Sequence, residues 1–319
     1  MKAIVQVGYG SPDVLEYCEI EKPVVDDDRA LVRVHAASVN AADWHLLRRL
    51  PHVIGRLLRQ PRTSVRGFDL AGQVEAVGRN VTRVKPGDEV FGTGIGTFAE
   101  YATAFEERLA PKPRNLTFLQ AAAIPVAGFT ALQGLRDVAR LQPGQRVLIY
   151  GAGGGVGTFA VQIAKSLGAH VTAVSSTRNL DLVRSIGADE VIDYAKEDFT
   201  KRGQLYDILF DIGANRSFVD CLRILAPNGT LVIAGAPSRL WAVLTRMLKA
   251  QLMSRIGSQR IKPFMARVRH EDLVVLKDLV EAGKLSPVID RQYPLSEVPD
   301  ALRYVGTREA RGKVVIRIA

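Results

Sequence analysis

The sequence predicts an α/β fold in which a doubly wound parallel sheet is set between two stretches of a mainly β domain. Three observations carry this. A strand, a glycine turn, a helix and a second strand follow one another from Arg146 to Arg178. Strand-like runs then recur with helical patterns between them, at Glu190–Asp193, Tyr206–Phe210 and Gly229–Ala234. Residues 1–110 instead hold short β-type runs broken by turn residues, and the closing runs at Val288–Ile289 and Lys313–Ile318 most simply rejoin them.

The unit from Arg146 opens with Val147-Leu148-Ile149-Tyr150, short enough for a buried parallel strand. Gly151-Ala152-Gly153-Gly154-Gly155-Val156-Gly157 follows, where backbone must approach something closely. Val156, Ala160, Ile163, Ala164 and Leu167 recur at helical spacing, and Gly168 stands just past the helix end. Val171 to Val174 supplies the second strand. This order is that of a dinucleotide-binding βαβ unit, in which a pyrophosphate sits on the N–H groups of the helix N-terminus. The fingerprint departs from G-x-G-x-x-G: Ala152-x-Gly154-x-x-Gly157 is what fits. A site for NAD carries an acid at the end of the second strand, to hold the ribose hydroxyls. Here Ser175-Ser176-Thr177-Arg178 stands there, and the next acid is Asp181. Arg178 either bonds a 2′-phosphate, which selects NADP(H), or is a solvated residue of the next helix.

In the N-terminal part, Ala30–Ala37 alternates and runs into Ser38-Val39-Asn40-Ala41-Ala42-Asp43-Trp44-His45. Asp69–Val77 is a further strand, and Lys85-Pro86-Gly87-Asp88 turns into Glu89–Gly92. Leu119 to Val138 reads as a helix interrupted near Pro125 and Gly128. Trp241 to Phe264 reads as a basic amphipathic helical stretch, suited to packing on a partner subunit or the first domain, or to a membrane surface. Leu273–Glu281 and Ser296–Val305 are helices.

The chain has 319 residues, 47% hydrophobic and 24% charged, which suits a globular protein of two domains. Cys18 and Cys221 form no metal or disulfide pattern, as expected in a reducing, cytoplasmic setting. The N-terminus reads as a strand rather than a signal peptide. Two uncharged stretches, Asn115–Leu135 and Val147–Ala164, read as buried core and not as membrane spans. The net charge of +10 suits anionic ligands, and much of the excess lies in residues 48–66 and 239–269. No aromatic-interleaved basic motif accompanies it, which argues against nucleic-acid binding.

Several motifs together resemble the zinc-independent, quinone oxidoreductase-like branch of the medium-chain dehydrogenase/reductase superfamily. They are AASVNAADWHL, GFDLAGQVEAVG, VKPGDEVFG, AAAIPVAGFTAL, GAGGGVG and the closing LSPVIDRQYPLSEVPDALRYV with GKVVIRI. The resemblance covers nearly the whole chain. It implies a GroES-like catalytic domain of residues 1–122 and 265–319 around an inserted Rossmann cofactor domain of residues 123–264, with the active site between them and a homodimer as the working form.

Zinc-dependent members of that superfamily need Cys and His ligands. Their first ligand falls on Asn40 here, their His on Phe68 before Asp69, and their third near Pro125, where no Cys stands. The resemblance therefore implies no metal and a substrate that needs no Lewis acid, namely a quinone or α,β-unsaturated carbonyl reduced by hydride from NADP(H). On this reading Asn40 donates to the substrate oxygen, or else caps a turn. His45 relays a proton, or is a hydrogen-bonded histidine beside the cleft, and Asp43 orients the loop. Trp44, Phe68 and Phe91 wall an apolar pocket or pack in the core. For the cofactor, the resemblance points to Gly154, Gly155 and Val156 at the pyrophosphate and to Ser176, Arg178 and Tyr194 at the 2′-phosphate. Thr130 matches a position beside the nicotinamide, and Gly235 lies at a strand end beside the cofactor. Two other readings stay open: an NADPH-binding regulator or adaptor using its basic stretches, and an alcohol dehydrogenase-type activity.

Overall fold

The structure is a computed structural model that describes residues 1–8, 10–48, 64–213, 216–234 and 258–318. Contacts divide the chain into two units, Met1–Phe129 with Val268–Ala319, and Thr130–Arg267.

The unit formed by both chain ends is mainly β. Its seven-stranded sheet runs Ile289–Pro294, Lys313–Arg317, Arg29–Val39, Asp69–Val77, Glu89–Thr93 and Leu109–Pro111 in spatial order, and Tyr101–Phe105 also pairs Arg29–Val39. A smaller sheet holds Leu15–Glu19, Lys2–Gln6 and Ser64–Val65. The closing strands thus return to the opening domain, as their sequence suggested. Arg29–Val39 is central: eight of its eleven residues are buried, from both faces of the strand, a pattern that needs neighbours on both sides. Two registers matter for function. Ser38 pairs Asp69, and Val39 pairs Val314. Together they bring Asn40, Asp69 and Lys313 to one end of the sheet.

The other unit carries six parallel strands: Glu190–Asp193, His170–Ser175, Arg146–Tyr150, Tyr206–Asp211, Leu225–Ile233 and Arg260–Pro263. Numbered along the chain this is third, second, first, fourth, fifth, sixth, the doubly wound order whose switch point lies between the first and fourth strands. The helix Gly155–Ser166 buries Gly157 through Ala164. Gly168 then adopts φ +80°, the left-handed conformation that stops a helix without steric cost in glycine.

Three local readings change. Gly128 does not interrupt its helix: Pro125–Gln133 runs through it, because a Cβ there would meet Leu276 Cδ1 at 3.0 Å and glycine permits the approach to helix His270–Glu281. The break falls before Pro125, which takes the first helical position, where its missing N–H costs nothing. The changeover between units falls within this helix, not at residues 122/123, since its opening turn is bound to the first unit through Asp69 and Leu276. Finally, the end of the stretch read as helical is the sixth strand, Arg260–Pro263, in which Ile261 is buried and Pro263 sits on the final strand of the sheet order. Most of that stretch, like most of residues 48–66, lies outside the described residues.

Candidate functional site

In the first unit, strand ends assemble a buried polar network around Asp69, which is fully buried. One carboxylate oxygen, Oδ2, accepts from Ser38 Oγ at 2.6 Å, from Asn40 Nδ2 at 2.9 Å and from the Lys313 ammonium at 3.3 Å. Oδ1 accepts the Val126 N–H at 3.0 Å, in the first turn of Pro125–Gln133, where a helix dipole favours negative charge. Lys313 is only 3% exposed and also donates to Asn40 Oδ1 at 2.6 Å. Both ends of the Asn40 amide are therefore held, and its flip state is fixed by a cation on one side and an anion on the other. The Asn40 N–H in turn donates to Asp43 Oδ2 at 2.8 Å, closing the turn that starts helix Ala41–Arg48. Burial, the largest cause, raises the Asp43 carboxyl to about 7; neighbouring Asp69 adds to this, while the Asn40 N–H, Lys313 and Arg66 oppose it.

The other expected residues of this unit separate. His45 is half-buried on helix Ala41–Arg48. Trp44 lies against Gly306 so closely that a Cβ there would meet its ring at 2.6 Å, and it belongs to the apolar cluster of helix Val298–Gly306. Phe91 is fully buried within its strand and offers no surface to a ligand. Phe68, next to Asp69, is 37% exposed and is the most exposed of the three.

The donor set here does not suit zinc. Phe68 has no ligand atom, and the amide oxygen of Asn40 and the carboxylate of Asp69 already face an ammonium. Among the described residues no group of three His, Cys, Asp or Glu is disposed to hold a metal ion.

In the second unit, the glycine turn leaves the first strand at Gly151, with φ +90°, a conformation glycine adopts freely. The N–H groups of Gly151 and Ala152 both reach Val174 O, which ties the turn to the second strand. A Cβ on Gly157 would run into the Gly151 carbonyl oxygen and, at 2.6 Å, the Ala152 backbone, so helix and strand can pack this closely only with glycine. Gly154 differs: a Cβ there would meet only Gly151 O, at 3.5 Å, so the space in front of it is open. Gly154 caps helix Gly155–Ser166, with no side-chain cap and no acid in the first turn. Gly154, Gly155 and Val156 are half-buried. A helix end left uncapped and uncharged, facing open space, fits a pyrophosphate.

Ser176 and Arg178 lie on the turn after the second strand, half-buried and exposed respectively. Tyr194 is 45% exposed; its N–H donates to Ser175 O, and its ring stands edge-on to Tyr150 at 6.4 Å. These three gather at the same sheet end as the glycine turn. Thr130 is half-buried on its helix, and Gly235 lies outside the described residues.

Sequence reasoning missed four residues. Asp69 and Lys313 are charges at the ends of apolar runs, and only the strand registers show that they meet. Asp193 supplies an acid near the second strand after all, because its strand pairs it with Ser175. Its carboxylate is spent on Thr177 Oγ1 at 2.6 Å and on the Ala195 N–H at 3.0 Å; the Thr177 bond is the main reason its pKa is lowered. Asn179 is the fourth. It is 7% exposed and packs on Gly153, and its Oδ1 has no partner. An Asn after a strand is an ordinary turn signal, so nothing in the sequence set it apart.

The two halves match known families. An alcohol dehydrogenase GroES-like domain matches residues 26–114, and a zinc-binding dehydrogenase domain matches residues 186–316. The chain is 34% identical over 332 positions to a 2-methylene-furan-3-one reductase of Solanum lycopersicum, covering 99% of this chain and 79% of the relative. The same figures hold for an NADPH-dependent alkenal/one oxidoreductase, chloroplastic, of Arabidopsis thaliana. The solved quinone oxidoreductase from Coxiella burnetii superposes with a TM-score of 0.90 at 30% identity, covering 100% of this chain and 99% of that one. No helix among the described residues is long and apolar enough to cross a membrane. With its two domains, its strand order and these relatives, the chain belongs to the quinone oxidoreductase-like branch of the medium-chain dehydrogenase/reductase superfamily.

Proposed function

We propose that this protein reduces a quinone or an α,β-unsaturated carbonyl compound with NADPH, without a catalytic metal. The observation that carries the metal-free part is the Asn40–Asp69–Lys313 network. At Asn40, where the resemblance puts the first zinc ligand, the amide oxygen accepts from the buried Lys313 ammonium, which also faces the neighbouring Asp69 carboxylate. The names of the relatives, an NADPH-dependent alkenal/one oxidoreductase and a quinone oxidoreductase among them, support the reaction class.

Backbone N–H groups of Gly154, Gly155 and Val156 would hold the pyrophosphate; Ser176, Arg178 and Tyr194 would hold the 2′-phosphate, and Thr130 the nicotinamide end. Bound there, the cofactor supplies a hydride. The rest is positioning and polarisation by the protein. Asn40 gives one amide N–H to Asp69, and its second is the donor proposed for the substrate oxygen. As negative charge grows on that oxygen, the Lys313 ammonium on the far side of the amide strengthens the donor. Conjugation spreads the same charge, which is why these substrates do not require a Lewis acid. His45 is the proposed relay for the proton that completes the reduction, and Phe68 the proposed apolar contact. A homodimer in the cytoplasm accompanies the proposal, checked by light scattering and cell fractionation.

The test follows NADPH and NADH absorbance in parallel, with and without EDTA. Acceptors are 1,4-benzoquinone, 9,10-phenanthrenequinone, a medium-chain enone and a 2-alkenal. EDTA-insensitive oxidation, faster with NADPH, is expected for at least one of them. Tight NADPH binding without turnover on any of them would overturn the proposal in favour of a cofactor-binding regulator.

A further inference from the structure

The basic stretch of residues 48–66 ends in a guanidinium that stands beside the Asp69 network. Arg66 follows the strand Ser64–Val65, which pairs with Lys2–Gln6, and its carbonyl accepts the Phe98 N–H at 2.8 Å. Its side chain is held in place. Nε donates to Gln6 Oε1, and Gln6, 5% exposed, is itself held through Nε2 on the Gly8 carbonyl. Arg66 is half-buried, and its two terminal nitrogens have no hydrogen-bond partner among the described residues. Arg29 and Arg216, also half-buried, each meet an aspartate, Asp26 at 3.2 Å and Asp198 at 3.6 Å. A guanidinium carries five N–H donors in a planar fork, and one neutral amide oxygen answers only one of them.

Its charge is no better answered. Asp69 is already paired with Lys313. Burial raises the Asp43 carboxyl to about 7 against the opposing pull of Arg66, so Asp43 is only partly ionised at neutral pH. Arg66 therefore brings an uncompensated positive charge to within three residues of Asp69, which holds the Asn40 amide. Three residues of chain span at most about 10 Å, so a few carbon atoms reach from that amide to the guanidinium.

We propose that Arg66 is a specificity-determining residue whose terminal N–H groups take a carboxylate carried by the substrate, a few carbons from the enone or quinone that is reduced. The proposal rests on the NADPH-dependent reductase reading above and names the substrate class within it. The two terminal nitrogens present parallel N–H donors, the arrangement that fits both oxygens of a carboxylate. Phe68, exposed two residues further on, suits the apolar carbons between the two ends. Asn40 takes the carbonyl oxygen and Arg66 the far end, so the substrate is fixed at two points.

The test compares internal enones and 1,4-benzoquinones that carry a carboxylate two, three or four methylenes from the conjugated system, each beside its methyl ester. The methylenes insulate the reacting group, so acid and ester differ in charge and not in intrinsic reactivity. At one or more of these lengths the wild type should favour the acid in kcat/KM by about tenfold or more. Arg66→Gln should cut that acid-to-ester ratio by about ten- to a hundredfold, through a raised KM for the acid rather than a lowered kcat. Arg66→Lys, which keeps the charge but not the fork, should fall between the two. A wild type that favours the ester at every length would overturn the proposal without recourse to any variant. So would an unchanged ratio in Arg66→Gln, or an Arg66→Lys ratio no better than that of Arg66→Gln. Failure of the wild type to oxidise NADPH with any acid, ester or neutral acceptor would instead overturn the reductase reading itself.

Discussion

Replacing Lys313 by methionine removes a charge that is 3% exposed and leaves Asp69, fully buried, without its cation. Three neutral donors stay on the carboxylate: Ser38 Oγ, Asn40 Nδ2 and the Val126 N–H. Removing one partner of a buried ion pair costs about 3–5 kcal/mol, and the three remaining bonds place this case near the lower end, at about 3 kcal/mol. The double variant Lys313→Met/Asp69→Asn buries no net charge and should recover at least about 2 kcal/mol of that loss. The assay is urea unfolding in a Trp241→Phe background, which leaves Trp44 as the only tryptophan and a reporter on the first unit. A cost below about 1 kcal/mol, or a double variant no more stable than the single one, would refute the electrostatic reasoning.

Four further outcomes are expected. Asp43 has its carboxyl raised from 3.8 to about 7, so the folded state holds the proton more tightly and stability should fall as pH rises through that window, then level off. Asp43→Asn keeps the acceptor for the Asn40 N–H and should flatten the profile, as denaturant midpoints across the window would reveal. Gly154→Ala should change ligand-free stability by less than about 1 kcal/mol, yet weaken NADPH at least about tenfold in a fluorescence titration. Gly157→Ala should lower both stability and binding, because its Cβ collides with backbone. Arg178→Glu should cut the NADPH-over-NADH preference in kcat/KM by about ten- to a hundredfold, the worth of a charge-assisted bond to the 2′-phosphate.

The fold was legible where one local pattern suffices. The glycine turn with its flanking strands identified the parallel unit, since a buried parallel strand is a short apolar run and a close backbone approach demands glycine. The return of the closing strands was legible from their β-type residues. What local patterns miss is register. Lys313 and Asn40 lie at opposite ends of the chain, and only the pairing of Val39 with Val314 puts the ammonium on the amide. Asp193 reaches the second strand in the same way, through Ser175. Gly128 misled because a glycine inside a helix signals either a break or a tight crossing, and the deciding residue, Leu276, is distant in sequence. Trp44 and Phe91 were ambiguous for a related reason: an aromatic side chain looks the same in sequence whether it lines a pocket or fills a core.

The most direct test of the central claim is isotope transfer from [4-²H]NADPH, labelled on the transferred position, to an enone by chelator-treated protein whose zinc content has been measured. Metal-free protein at full activity, giving a saturated ketone with one deuterium on its β-carbon, is the predicted result. Activity that vanishes on chelation and returns with zinc, or product without the label, would contradict it.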